Sequence, residues 1–382
     1  MTSFFSEQTF KNYKKSDRKK FFFAILLLLQ FVIITIFQTR LSIRNHNLDG
    51  PLNIIKSNCQ NLRFAFVNDY MDYFAVENYL FIAYQVFLIH LGLIAIFNEY
   101  VMQLCVYYAM NLGGYIYSII QMVEVKLVVR YVRAECLAPE LTYGNEILEI
   151  FRLNDSFTDP GTVKYDLPQF IFYTLFIIIT GYLSLDMYSR IGTNHYLQKK
   201  VGNDEFLMSL FKRQLILKIL LKIFAFFSSL YFIFCIYFLL TYFGRKDYTM
   251  TLAVLIFLLI FILLLRLTRV TFFYLDEESE SGMIYFRYLW VLVLFNNIVL
   301  CVIGGLFMSD DWYFLLPYNL VYFGVSLASY IFALNVKNDF GKGLKDAIAK
   351  NKTEREQISR LQSALNDNTE EIITVNINNE KQ

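Results

Sequence analysis

The sequence predicts an all-α, polytopic integral membrane protein with about eight transmembrane helices, and three observations carry that expectation. Hydrophobic residues make up 56% of the 382 positions and charged residues 18%, below the charged share of about 25% usual for soluble domains. Apolar runs recur along most of the chain, most of them long enough for a bilayer core about 30 Å thick, which takes roughly 20 helical residues. Lysine and arginine gather in short segments between those runs, as the positive-inside rule requires of cytoplasmic loops. The expected organisation is a cytoplasmic segment over 1–20, a helical transmembrane domain over 21–335 with lumenal loops at about 39–78 and 124–166, and a cytoplasmic tail over 336–382.

The first span, Phe21 to Phe37, follows Lys11, Lys14, Lys15, Arg18, Lys19 and Lys20. Gln38-Thr39-Arg40-Leu41 carries no small-residue cleavage pattern, so the run reads as a retained anchor rather than a removed leader. Arg40 to Asn78 reads as a loop with one short helix, its turns marked by Pro51 and by the cluster Asn45 to Asp49. Tyr79 to Phe97 is the second span. Val101 to Val123 is the third and carries Gln103, Asn111 and Gln121, which inside a span face protein rather than lipid. Without this polar run the count is seven. Glu124 to Asp166 reads as a lumenal loop, and Pro168 opens the fourth span, Leu167 to Met187, where its missing donor is harmless.

A basic loop, Arg190 to Arg213, leads into a hairpin of two long apolar runs, Leu215 to Phe243 and Thr249 to Leu275. An acidic run, Asp276 to Glu280, follows at once, then Met283 to Met308 and Tyr313 to Leu334. Ile358, Leu361 and Leu365 fall on one face of a short tail helix, and the Asn- and Glu-rich last dozen residues read as disordered. With eight spans and a cytoplasmic N-terminus, the cytoplasmic segments hold 19 Lys and Arg against 11 opposite, so both termini are expected inside.

No enzyme or cofactor signature stands out: there is no glycine-rich phosphate loop, no HExxH and no paired CxxC, and His46, His90 and His195 are far apart. The expectation is a protein with no catalytic activity, cofactor or metal. Nucleic acid is excluded as a partner because the basic residues sit beside apolar spans rather than on one surface. Cys105, Cys235 and Cys301 lie in apolar runs as packing residues, whereas Cys59 and Cys136 fall in two loops on one side and form the candidate disulfide pair. Gln85, His90, Asn111, Asn296 and Asn297 are candidates for a polar path through the bundle, although each is more simply an interhelical hydrogen-bonding residue. Gly113-Gly114 reads as a close-packing site.

In the hairpin, Lys218 and Lys222 share a helix face, as do Arg266 and Arg269. An antiparallel pair brings all four toward one membrane face, where they pair with the acidic run or contact anionic lipid headgroups. Asn154-Asp155-Ser156 is an N-glycosylation acceptor in a loop expected to be lumenal, and Asn351-Lys352-Thr353 matches the same pattern in the tail.

Three stretches carry a family resemblance: Ala95 to Leu104 with Tyr115 to Gln121, Leu185 to Gly192, and Asn338-Asp339-Phe340-Gly341-Lys342-Gly343-Leu344-Lys345. Their order resembles a family of uncharacterised fungal multi-pass Golgi apparatus membrane proteins. Asp339, inserted before Phe340, departs from that family's ending. The resemblance implies a Golgi or related endomembrane location and carries over no catalytic residue. The resulting expectation is a structural or trafficking component whose partners are membrane lipids and other membrane proteins. The alternatives are a transporter or channel for a small solute and a seven-span receptor.

Overall fold

The computed structural model describes residues 18–43, 64–136, 166–191, 195–244, 248–309 and 315–354, with four further positions at 356, 357, 360 and 361. Helix accounts for 94% of the described residues, and no strand occurs among them. The helices are α1 (Arg18–Ile43), α2 (Phe64–Phe97), α3 (Val101–Cys136), α4 (Leu167–Ile191), α5 (His195–Val201), α6 (Glu205–Gly244), α7 (Tyr248–Asp276), α8 (Glu280–Ser309) and α9 (Leu315–Lys337). A tail helix follows over 344–354. Among the described residues, seven helices are long and apolar enough to cross a membrane. The exception among the long helices, α3, runs antiparallel to α2 and α4 beside them.

Two four-helix halves result. In the first, α1 packs against α2 and α4 and lies parallel to α3; Phe23, Leu27, Leu88, Leu91, Leu104 and Tyr107 form its core at one end. Ile34, Phe81, Tyr117 and Tyr173 close the other. In the second, α6 is central, with α7 and α9 on it and α8 against α9. Its core is aromatic: Phe224 lies 4.6 Å from Trp290 and 5.1 Å from Tyr322, and Tyr231 stacks on Phe261 at 4.8 Å. The halves meet where Phe87 of α2 stacks on Phe226 of α6 at 4.0 Å. The first residues of α1, the α2–α3 and α7–α8 turns and the tail helix all lie at one face, called here the basal face.

The helices outrun the apolar windows that announced them. Residues 64–78 and 124–136, expected in loops, extend α2 and α3, and the expected loop Arg190 to Arg213 contains α5 and the first turns of α6. Local signals account for the last case. Gly202, at φ 89°, ends α5, and Asp204 caps α6 by accepting from the amides of Phe206 (2.9 Å) and Leu207 (3.1 Å).

Gly113 and Gly114 play different parts. A Cβ on Gly114 would run into the Tyr173 hydroxyl, which is buried on a rigid ring, whereas on Gly113 it would meet only the Tyr84 hydroxyl at 3.5 Å. Overpacking of a fixed neighbour costs about 1–3 kcal/mol, so Gly114→Ala is expected to lower the thermal midpoint in detergent while Gly113→Ala leaves it nearly unchanged.

Candidate functional site

Two regions concentrate polar chemistry: a seam through the first half and a platform on the basal face. The seam is built on α3, whose Gln103, Asn111 and Gln121 are all buried. From Gln103 to Gln121 the helix rises about 27 Å, close to the full thickness of a hydrocarbon core. Without water there, each amide has to find protein partners. Gln103 donates to the Leu91 carbonyl (3.2 Å), and Gln121 donates to Asn78 (2.5 Å) while accepting from Gln38 (3.2 Å). At mid-height Asn111 accepts from Gln30 (2.7 Å) and Tyr173 (3.2 Å) and donates to Thr180 (3.3 Å) and Tyr107 (3.4 Å). Gln85 donates to the Tyr173 hydroxyl at 3.1 Å. One asparagine thus ties α3 to α1 and α4, and Tyr173 extends the tie to α2.

The expected polar path is therefore only partly assembled. Gln85 and Asn111 come together through Tyr173, whereas His90 is exposed on α2. Asn296 and Asn297 belong to the other half, where Asn297 donates to Ser326 at 2.6 Å beside the Trp290 indole bond to the Ser326 carbonyl. Gln30, Tyr107, Tyr173 and Thr180 were missed. Only Gln30 carried a sequence signal, as the single amide inside the first apolar run.

The four hairpin cations divide into two pairs. Lys218 forms an ion pair with Asp276 at 2.5 Å, and nearby Gln214 donates to the Leu275 carbonyl at 2.7 Å. Lys222 lies half-buried one turn deeper on α6. Arg266 and Arg269 are exposed and continue the outward stripe of Leu255, Leu259 and Leu263 on α7. They face the surroundings of the bundle, not α6. Arg287 on α8, also exposed, was not anticipated.

The acidic run has a second task. The α2–α3 and α7–α8 turns each place a glutamate in left-handed backbone, Glu99 at φ 56° and Glu278 at φ 51°, where glycine is the usual residue. In both, an amide closes back five residues, Tyr100 to Ala95 at 2.9 Å and Ser279 to Tyr274 at 3.0 Å. Glu99 pairs with Lys20 of α1. Glu278 accepts from the amides of Gly341 (3.3 Å) and Lys345 (3.1 Å), capping the tail helix from another part of the chain. Glu277 holds the Lys345 ammonium at 2.9 Å, raising its pKa.

Asp339 binds Arg213 at 3.1 Å and Lys342 at 3.0 Å. Beneath these ties Leu197, Val201, Met208, Leu210, Phe211 and Leu344 form one apolar core. The basic loop and the tail are one folded platform, with Lys199, Lys200, Lys212, Lys350 and Lys352 on its surface. Among the described residues no group of three or more His, Cys, Asp or Glu converges as a metal site. Asn154 and Cys59 lie outside the described residues, as do the side chain of Cys136 and the positions Ile358 and Leu365.

Among the described residues, seven apolar helices, outward-facing leucine stripes and amides hydrogen-bonded within the bundle define a multi-pass α-helical membrane protein. No family model, curated protein or solved structure matches the chain.

Two substitutions test the two regions. Asn111→Leu removes four interhelical or intrahelical bonds worth on average about 0.6 kcal/mol each in a membrane bundle. It is expected to destabilise the fold by about 2 kcal/mol in detergent unfolding, and a double-mutant cycle with Gln30→Leu is expected to show coupling. Glu278→Gly relieves the left-handed strain, about 1–2 kcal/mol for an L-residue, yet removes the cap. The expected result is an unchanged or higher thermal midpoint together with faster amide exchange over 341–350.

Proposed function

We propose that this protein is a non-enzymatic, multi-pass resident of Golgi or related endomembranes, a structural or trafficking component that meets anionic lipid or a partner protein through its basal platform. The observation that carries the proposal is the platform itself. Residues from α5, α6 and the tail share an apolar core and are clamped to the α7–α8 turn, which holds the surface lysines in a fixed array. A fixed array loses less conformational freedom on binding than a loose tail does. The excess of Lys and Arg in the segments on this side supports a cytoplasmic orientation. The Golgi address rests on the sequence resemblance.

A transporter is the second reading, favoured by one observation: Gln30 Oε1, Gln38 Oε1 and Asn78 Nδ2 are buried in the seam without partners. Solute flux in proteoliposomes that falls on Gln38→Leu substitution would favour it over the first. A seven-span receptor needs its ends on opposite faces, whereas α1 begins on the face that carries the tail helix.

Orientation is tested by glycosidase-sensitive gel shift. Asn154 is expected to accept a glycan and Asn351 to remain bare; a glycan on Asn351 overturns the cytoplasmic platform. Replacing Lys199, Lys200 and Lys212 with Gln is expected to lower co-purifying anionic lipid severalfold without loss of folding, because all three side chains are exposed on the platform.

A further inference from the structure

Between the two halves lies a cleft of about 300 Å³, at the lower end of the range of roughly 300–1,000 Å³ seen for ligand pockets. Helices α2 and α3 line it from one half and α6 and α9 from the other, with Tyr84, Gly113, Phe227, Tyr318 and Val321 among its walls. Gly113 opens the floor, since its Cβ position is bounded only by the Tyr84 hydroxyl. The walls are apolar almost throughout. One carboxylate, Glu77, stands at one end, where it accepts from Tyr117 at 3.4 Å.

We infer that this cleft holds one hydrocarbon chain of a membrane lipid, drawn from the leaflet opposite the basal face, with the lipid's polar end toward Glu77 and Tyr117. Dimensions support a single leaflet. On α3 the lining runs from Ala109 to Ile120, a rise of about 16 Å, against roughly 15 Å for half of a hydrocarbon core about 30 Å thick. Its inner end, at Ala109 and Phe227, falls near the middle of the seam, and its outer end lies with Pro317 close to the start of α9.

Chemistry selects the occupant. A polar solute entering here would give up its water without gaining partners. An empty cleft would forfeit the dispersion contacts of its lining. Hydrocarbon meets neither objection, and the bilayer presents it at high concentration to a cleft set within the spans. Since lipid tails are as apolar as leucine, retention depends on fit rather than on a hydrophobic gain. Aromatic faces on both sides of a narrow slot supply that fit.

The test uses the full chain in phosphatidylcholine vesicles doped with a phosphatidylcholine that carries a diazirine on one acyl chain, with adducts mapped by mass spectrometry. A probe at the chain terminus is expected to label Ala109 and Met110 severalfold above Leu255, Leu259 and Leu263 on the outward face of α7. A probe near the headgroup is expected to shift label toward Ile120 and Pro317. Two variants fill the cleft from opposite walls, Gly113→Leu and Val321→Trp, so that misfolding of one leaves the other informative. Each is expected to reduce cleft labelling severalfold with α7 labelling unchanged. Labelling no higher than that of α7, or indifferent to filling in a folded variant, overturns the inference and means that another segment of the chain, or nothing, occupies the space. Label order reversed between the two probes overturns the leaflet assignment.

Discussion

The first half of this protein depends on a constraint imposed by its solvent: the amides on α3 lie where no water reaches, so other helices have to satisfy them. Asn111 makes the constraint concrete by bonding Gln30 of α1 and Tyr173 and Thr180 of α4. Fixing α3 also fixes α2, because Gln121 and Gln103 reach Asn78 and the Leu91 carbonyl. The second half solves the same packing problem differently, with Trp290 in contact with both Phe224 and Phe286. Aromatic pairs contribute about 0.5–1.5 kcal/mol beyond area burial, comparable to a membrane hydrogen bond. They impose less directional demand. A rigid polar half and an aromatic half meeting at Phe87 and Phe226 leave the apolar cleft beside that junction.

Hydropathy made the spans legible because chain length in hydrocarbon is the quantity it measures. Helix ends were not, since a turn in the headgroup layer or beyond is helical without being apolar; α6 begins ten residues before Leu215 for that reason. That α3 turns its amides toward protein was readable from Gln103, Asn111 and Gln121. Their partners were not, several of them being 62 to 83 positions away. Helical phase could have separated His90 from Gln85: five residues at about 100° each put them on different faces. The same arithmetic sets Arg266 in line with Leu263 and Leu259, a stripe of pure lipid-facing residues, and so points it outward. Arg213 with Asp339, and Glu278 with the tail, are long-range pairs without local signature.

Glu99 and Glu278 invite comparison because two turns at one face solve one problem twice. Glycine would sit in either position without strain. A glutamate there accepts strain and in return reaches a distant segment, α1 in one case and the tail helix in the other. Backbone strain of this kind persists where the surroundings over-determine it. The ties around both turns supply that determination, with Lys19 to Asp186 at 2.9 Å and Arg213 to Asp339 at 3.1 Å.

The cap on the tail helix also imposes an order of assembly. Glu278 leaves the ribosome long before Gly341 and Lys345, and its amide partners can reach it only after α8 and α9 have crossed and returned. Helices as short as the tail helix are marginal in water by themselves. The docked tail is therefore a product of completed insertion, and a chain arrested before α9 returns presents it as an open, unprotected end.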